Sequence, residues 1–165
     1  MKKRGVGMAV MWYPVGPGGS NPATARLQMD EFGKLTMFVS SPDIGQGSST
    51  ALSQIAADAV GIPLEWIDKV VAVDSDHSPA DFGSVGSRVT YVQGNAIRLA
   101  GENMRNKLQV AAQEMMNTSV DRIEIANGKA WDSDSIIDPV DVEDIARNEI
   151  KKTNEPLESI GTFAP

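Results

Sequence analysis

Residues 43–63 constrain this chain more than any other stretch: Asp43-Ile44-Gly45-Gln46-Gly47, then Ser48-Ser49-Thr50, then an alanine-rich run to Gly61-Ile62-Pro63. Ahead of them, Leu35 to Ser40 reads as a strand. Behind the turn, Ala51, Leu52, Ile55, Ala56 and Ala59 recur at the spacing of one helix face. Ser48, Ser49 and Thr50 supply N-cap hydroxyls, and Gly61 with Pro63 closes the helix. Strand, turn and helix must therefore follow one another with Gln46 held between two glycines. Free N–H groups and the positive end of the helix dipole gather at such a corner, which makes it a candidate cradle for an anion or cofactor. The same pattern also serves a plain strand-turn-helix corner whose glycines supply positive φ.

The rest of the chain reads outward from that corner. Val6 to Tyr13 is expected to form a first strand, and Pro14 to Pro22, with three prolines and three glycines, a loop. Ala23, Ala25, Leu27 and Met29 alternate with polar residues, the period of a half-buried strand. The turn Asp30 to Gly33 then joins it to the strand that enters the Gln46 corner. Ile67 to Asp74 reads as a further strand, and Ser75 to Arg88 as a polar loop. A long helix begins near Val89, its apolar face running through Val92, Ala96, Ile97, Ala100, Met104, Leu108, Ala111 and Met115. Gly94 and Gly101 on that helix disfavour it by about 1 kcal/mol each relative to alanine. Either a close backbone approach to a neighbour or ligand, or simple tolerance of a small defect, would explain them. Residues 117–165 contribute a hairpin over an Asn127-Gly128 turn, a short helix from Asp138-Pro139 to about Ile150, and an apolar tail with Ile160 and Phe163 expected to form a strand completed by another chain. Strands and helices interleave without a regular βαβ rhythm, so the fold class is α+β, a mixed sheet with two main helices.

Composition narrows the function. With 165 residues and 41% hydrophobic content the chain suits one globular domain. A net charge of −7 argues against general affinity for nucleic acid or an anionic membrane surface, both of which need clustered Lys and Arg. Cysteine is absent, so the chain itself holds no thiolate nucleophile and no Cys-ligated iron–sulfur cluster. Neither a signal-peptide pattern nor an apolar run of roughly 20 residues is visible, and the expected location is the cytoplasm. The single histidine, His77, reads as a solvated loop residue, and the acidic loop of Asp74, Asp76 and Asp81 as turn-forming.

A second corner repeats the plan of the first: Phe82-Gly83-Ser84-Val85-Gly86-Ser87-Arg88, then a helix N-terminus. Two such corners side by side suit a ligand with several acceptor atoms. Gln46 is both donor and acceptor for a heterocycle edge, and Arg88 offers a two-point contact to phosphate. An arginine at a helix N-terminus opposes the dipole unless an anion lies beside it, so Arg88→Ala is expected to leave the ligand-free chain as stable as before.

Together the corners resemble the molybdenum-cofactor-binding subunit of the xanthine dehydrogenase and aldehyde oxidase family, the molybdenum hydroxylases. The resemblance runs from Lys3 to about Leu108 and rests on Lys3-Arg4-Gly5-Val6-Gly7, Asp30-Glu31-Phe32-Gly33-Lys34, Asp43-Ile44-Gly45-Gln46-Gly47, Gln54-Ile55-Ala56, Leu64-Glu65, Asp74, Gly86-Ser87-Arg88 and Gly94-Asn95-Ala96-Ile97, in that order. It implies that Gly45, Gln46, Ser87 and Arg88, with Gly47, Val89 and Thr90, wrap a molybdopterin cofactor, in its cytosine dinucleotide form if the source is bacterial. It implies one partial molybdopterin-binding domain over 1–165: residues 1–116 form the main cradle, and residues 117–165 a smaller hairpin, helix and tail. Further molybdopterin-binding, flavin (FAD) and iron–sulfur subunits are the expected partners, and an N-heterocycle or aldehyde the expected substrate. The family's glutamate base and its metal-proximal glutamine segment have no counterpart here, so no catalytic or metal-ligating residue is assigned. The chain is expected to be a split subunit or truncated product of such an oxidoreductase. The alternative is a non-catalytic remnant or assembly module that keeps the fold without the cofactor.

Overall fold

Alternation of apolar and polar residues creates the central sheet. A computed structural model describes residues 2–12, 21–72, 74–134 and 138–165. Strand β1, Ala23–Met29, buries every second side chain, and β2, Leu35–Val39, returns antiparallel to it with Leu27 opposite Met37. The turn between them is pinned by Asp30, whose Oδ1 accepts the Phe32 and Lys34 N–H groups at 2.9 and 2.8 Å. Helix α1, Ser48–Val60, leads to β3, Ile67–Ala72, which pairs parallel to β2. Such a parallel return needs a crossover, and α1 is that crossover. Val73, at the end of the expected strand, lies outside the described residues.

A π-helical turn, Val89–Gln93, runs into helix α2, Gly94–Met116. The helical stretch thus starts where the periodicity places it, but its first turn is wider than an α-turn. Of the expected apolar face, Val92, Ala96, Ile97, Ala100, Met104, Leu108 and Ala111 are buried; at the end the register drifts, and Met116 is buried in place of Met115. Strands β4, Ile123–Ala126, and β5, Lys129–Asp132, form the hairpin over Asn127-Gly128, both at positive φ. The expected helix start at Asp138-Pro139 is corrected. Val140–Asp141 pairs with β5 as the short strand β6, and helix α3, Val142–Thr153, follows, because the chain satisfies backbone groups in the small sheet before it coils.

Two further expectations are corrected. The C-terminal segment, Leu157–Phe163, is a strand, β7, but its partner is β1 of this same chain, in register from Ala23 opposite Phe163 to Met29 opposite Leu157. The larger sheet therefore has the order β3-β2-β1-β7, with the smaller sheet β4-β5-β6 beside it. Among the described residues, 6–12 of the expected first strand pair with no other strand, and Val6, Met8, Val10, Met11 and Trp12 are exposed. A strand-like pattern does not make a strand without a neighbouring edge to bond. Tyr13 and most of the proline-rich loop, residues 14–20, lie outside the described residues. The core sits between the β1–β2 face and helices α1 and α2, with α3 closing the far end of α2. The mixed α+β architecture is as the sequence predicts, with α3 as a third helix.

Candidate functional site

Both corners meet at one cleft. Ile44, Gln46, Gly47, Ser48 and Ala51 from the first line it together with Ser84, Val85, Gly86, Ser87, Arg88, Val89 and Thr90 from the second, around about 450 Å³ of open volume. Of the residues that the sequence singled out, Gln46, Gly47, Ser87, Arg88, Val89 and Thr90 are brought together there, while Gly45, exposed on the same turn, is not part of the lining.

The first wall is shaped by Asp43. Its Oδ1 accepts the Gly45 N–H at 2.8 Å and the Gly47 N–H at 3.3 Å, and its Oδ2 accepts the Ser49 N–H at 2.8 Å. Donation first by the Ser49 N–H and then by that of Gly45 holds the Asp43 carboxyl below its ordinary value of 3.8. The expected cap by the Ser48, Ser49 or Thr50 hydroxyls is thus replaced. Gly47 is the N-cap residue, and the carboxylate that satisfies the helix start comes from four residues earlier. Gly45 and Gly47 hold φ of 103° and 81°, and a Cβ on either would meet nothing within 4 Å. Their glycines are required by conformation and not by crowding. With Ser49 and Ala51 bonded, the N–H groups of Ser48 and Thr50 remain as first-turn donors.

Gln46 is exposed and folds back over its own turn. Its Oε1 accepts the Ile44 N–H at 2.7 Å, and its Nε2 donates to the Ser48 hydroxyl at 2.8 Å and the Pro42 carbonyl at 3.2 Å. Both ends of the amide are held locally, and reaching a ligand exchanges those bonds for new ones.

In the second wall Gly83, Gly86 and Ser87 all take positive φ, at 96°, 58° and 57°. Positive φ at serine is uncommon, and here it leaves the side chains of Ser84, Ser87 and Thr90 exposed at the cleft. The surprise is Arg88. Its side chain does not face the cleft. It is buried and paired to the equally buried Asp81, and it donates to the carbonyls of Gly83 at 3.0 Å, Asn21 at 3.0 Å and Pro22 at 3.3 Å. Arg88 borders the cleft with its side chain buried and 1% exposed. Asp81 accordingly leaves the acidic loop, where Asp74 pairs with His77 at 3.0 Å. Sequence reasoning missed Asp43 and Asp81; an aspartate two residues before a Gly-X-Gly turn, and one seven residues before a buried arginine, were the available signals.

The chemistry of the lining fits a polyoxygen anion joined to a heterocycle. It offers hydroxyls, an amide and backbone N–H groups, and among the described residues no carboxylate faces inward. The whole chain, residues 1–165, matches the molybdopterin cofactor-binding domain family. The xanthine dehydrogenase molybdenum-binding subunit of Escherichia coli O157:H7 is 33% identical over 128 residues, covering 76% of this chain and 17% of that protein. Nicotine 6-hydroxylase large subunit of Paenarthrobacter nicotinovorans is 36% identical over 107 residues, covering 65% of this chain and 13% of the relative. Among solved structures, the reconstituted CO dehydrogenase from Oligotropha carboxidovorans superposes with a TM-score of 0.78 at 23% identity, over 86% of this chain and 18% of that one, which speaks to the fold. The chain thus spans about a sixth of the length of the E. coli subunit. A match along the full 165 residues, agreeing with the fold, decides the assignment: this chain belongs to the molybdopterin cofactor-binding domain family.

Proposed function

We propose that this chain forms one wall of the molybdopterin site in a multi-subunit oxidoreductase of the xanthine dehydrogenase type. The observation that carries it is the shared cleft of the two corners, where hydroxyls and the Gln46 amide stand among apolar side chains and, among the described residues, no carboxylate is present. Gln46, Ser87 and Thr90 would hold the cofactor by side chains, Ser48 and Thr50 by their first-turn N–H groups, and Gly45, Gly47 and Val89 by backbone shape, the Gly45 and Gly47 N–H groups being held by Asp43. Arg88 serves from behind the wall. The chemistry supplied by a bound molybdenum cofactor is two-electron oxidation of the substrate. This chain's own residues bind and orient; among the described residues Arg88 is the one ionisable group in the lining, and its side chain is paired with Asp81, so these residues carry no proton. Partner chains would supply flavin, iron–sulfur clusters and the rest of the cofactor site, in the cytoplasm, acting on an N-heterocycle or aldehyde. Residues 1–116 carry the cradle, and residues 117–165 brace it by returning β7 to the sheet.

The test is Gln46→Ala in the assembled complex. Truncation removes the three internal hydrogen bonds of the Gln46 amide, worth about 1 kcal/mol each, together with any that the amide would exchange for bonds to the cofactor. Molybdenum per complex, measured by elemental analysis, and pterin fluorescence after oxidation should both fall, while far-UV circular dichroism stays unchanged. Full molybdenum and pterin content in this variant and in Ser87→Val would overturn the reading.

A further inference from the structure

Beneath the cleft lies a set of buried polar side chains that the cofactor reading does not use. Arg88 is 2% exposed, Ser41 1% and Gln93 0%. Nη1 of Arg88 serves Asp81 and the Gly83 carbonyl, and Nη2 serves the carbonyls of Asn21 and Pro22. Among the described residues Nε has no acceptor, and it is sealed from solvent. Both Nη groups are thus engaged, and the unpaired Nε edge is closed off from the solvent that would carry a phosphate. The other Asp81 oxygen, Oδ2, lies 3.4 Å from the Ser41 hydroxyl, which is itself 3.5 Å from Gln93 Oε1, and Gln93 Nε2 donates to the Thr24 carbonyl at 3.1 Å.

We propose that Arg88 is a positioning residue: with Asp81 it staples the two ends of the 81–88 loop and anchors that loop to the residues entering β1, holding one wall of the cleft at a set distance from the other. Three features converge on this. The pair joins the first and last residues of a loop in which Gly83, Gly86 and Ser87 occupy left-handed backbone, a conformation that persists only where its surroundings over-determine it. Arg88 also holds the Gly83 carbonyl, clamping the loop from inside. Ser41, two residues before Asp43, brings the start of the opposite wall onto the same network. Planar, five-donor geometry explains why arginine occupies the position, since a lysine cannot hold four acceptors in this layout.

The meaning of the wall as a cofactor wall rests on the proposed function, but the staple is testable without it. The apolar pair Asp81→Leu/Arg88→Met keeps volume and removes both charges, a replacement that buried ion pairs often tolerate in stability. Hydrogen exchange by mass spectrometry on the full chain should rise at least tenfold at 82–87 in that variant, with β1 and β2 amides unchanged and a melting temperature near that of the parent. Arg88→Lys should show an intermediate rise and provides the reading if the double variant fails to fold. A folded variant with parental exchange at 82–87 overturns the staple, and so does loss of folding in both, which would make Arg88 a plain core residue. If exchange rises while the assembled complex keeps its full molybdenum, the staple stands and the cofactor reading of this loop fails instead.

Discussion

At the scale of single residues, Arg88 and Asp43 show what a side chain does when its surroundings decide its direction. The sequence places Arg88 at a helix start, where only an anion would reconcile it with the dipole; the structure provides that anion internally as Asp81. Arg88→Ala should therefore destabilise the ligand-free chain by about 3–5 kcal/mol, because it leaves an aspartate buried and unpaired. Urea denaturation monitored by circular dichroism measures this, and a change within error would refute the pairing. Asp43 carries the pH dependence of the first wall. Its carboxyl is held below 3.8 in the folded chain by the Ser49 and Gly45 N–H groups. A depressed folded value means that the stabilisation is fully present above the unfolded pKa and is lost as pH falls through the folded one, so the window lies below about pH 4. NMR titration of Asp43 should show the depressed midpoint, and the stability gap between the parent and Asp43→Ala should close in that window.

At the scale of elements, hydrophobic period and turn chemistry were legible and element ends were not. The alternation in β1, the three-four spacing along α1 and α2, and Asn127-Gly128 all produced what they announce, because each is a local property of the backbone. The glycines of α2 acquire their reasons from neighbours. A Cβ on Gly101 would lie 2.4 Å from Ala59 Cβ, so α1 and α2 approach there as no other residue permits, whereas one on Gly94 would meet Ile55 Cδ1 at 3.1 Å, the movable end of a flexible side chain. Gly101→Ala is expected to lose about 1–3 kcal/mol to overpacking, more than the roughly 1 kcal/mol gained in helix propensity. Gly94→Ala should stay close to neutral by the same balance. Equilibrium denaturation of the two variants checks the contrast, and equal effects would contradict the helix contact.

At the scale of the whole molecule, the surface that seeks a partner is not the one the sequence points to. The apolar tail is consumed as β7, where Ser159 Oγ donates to the Ala100 carbonyl at 2.8 Å and Asn103 Nδ2 to the Ile160 carbonyl at 2.8 Å, so α2 blunts that strand's outer edge. Residues 6–12 are left bare instead, with Val6 and Trp12 104% and 88% exposed. Isolated chain should therefore self-associate in light scattering, and deletion of residues 2–12 should reduce that association without lowering the melting temperature. Association unchanged by the deletion would place the sticky surface elsewhere. By itself, the sequence determined the α+β class, the two corners, the helix faces and the family resemblance, since these follow from local period, turn residues and motif order. The tertiary structure alone decided that the tail is an internal strand, that residues 6–12 find no edge among the described residues, and that Arg88 points inward. Those outcomes depend on which groups far apart in the chain become neighbours, and no local pattern encodes the pairing of Arg88 with the carbonyls of Asn21 and Pro22.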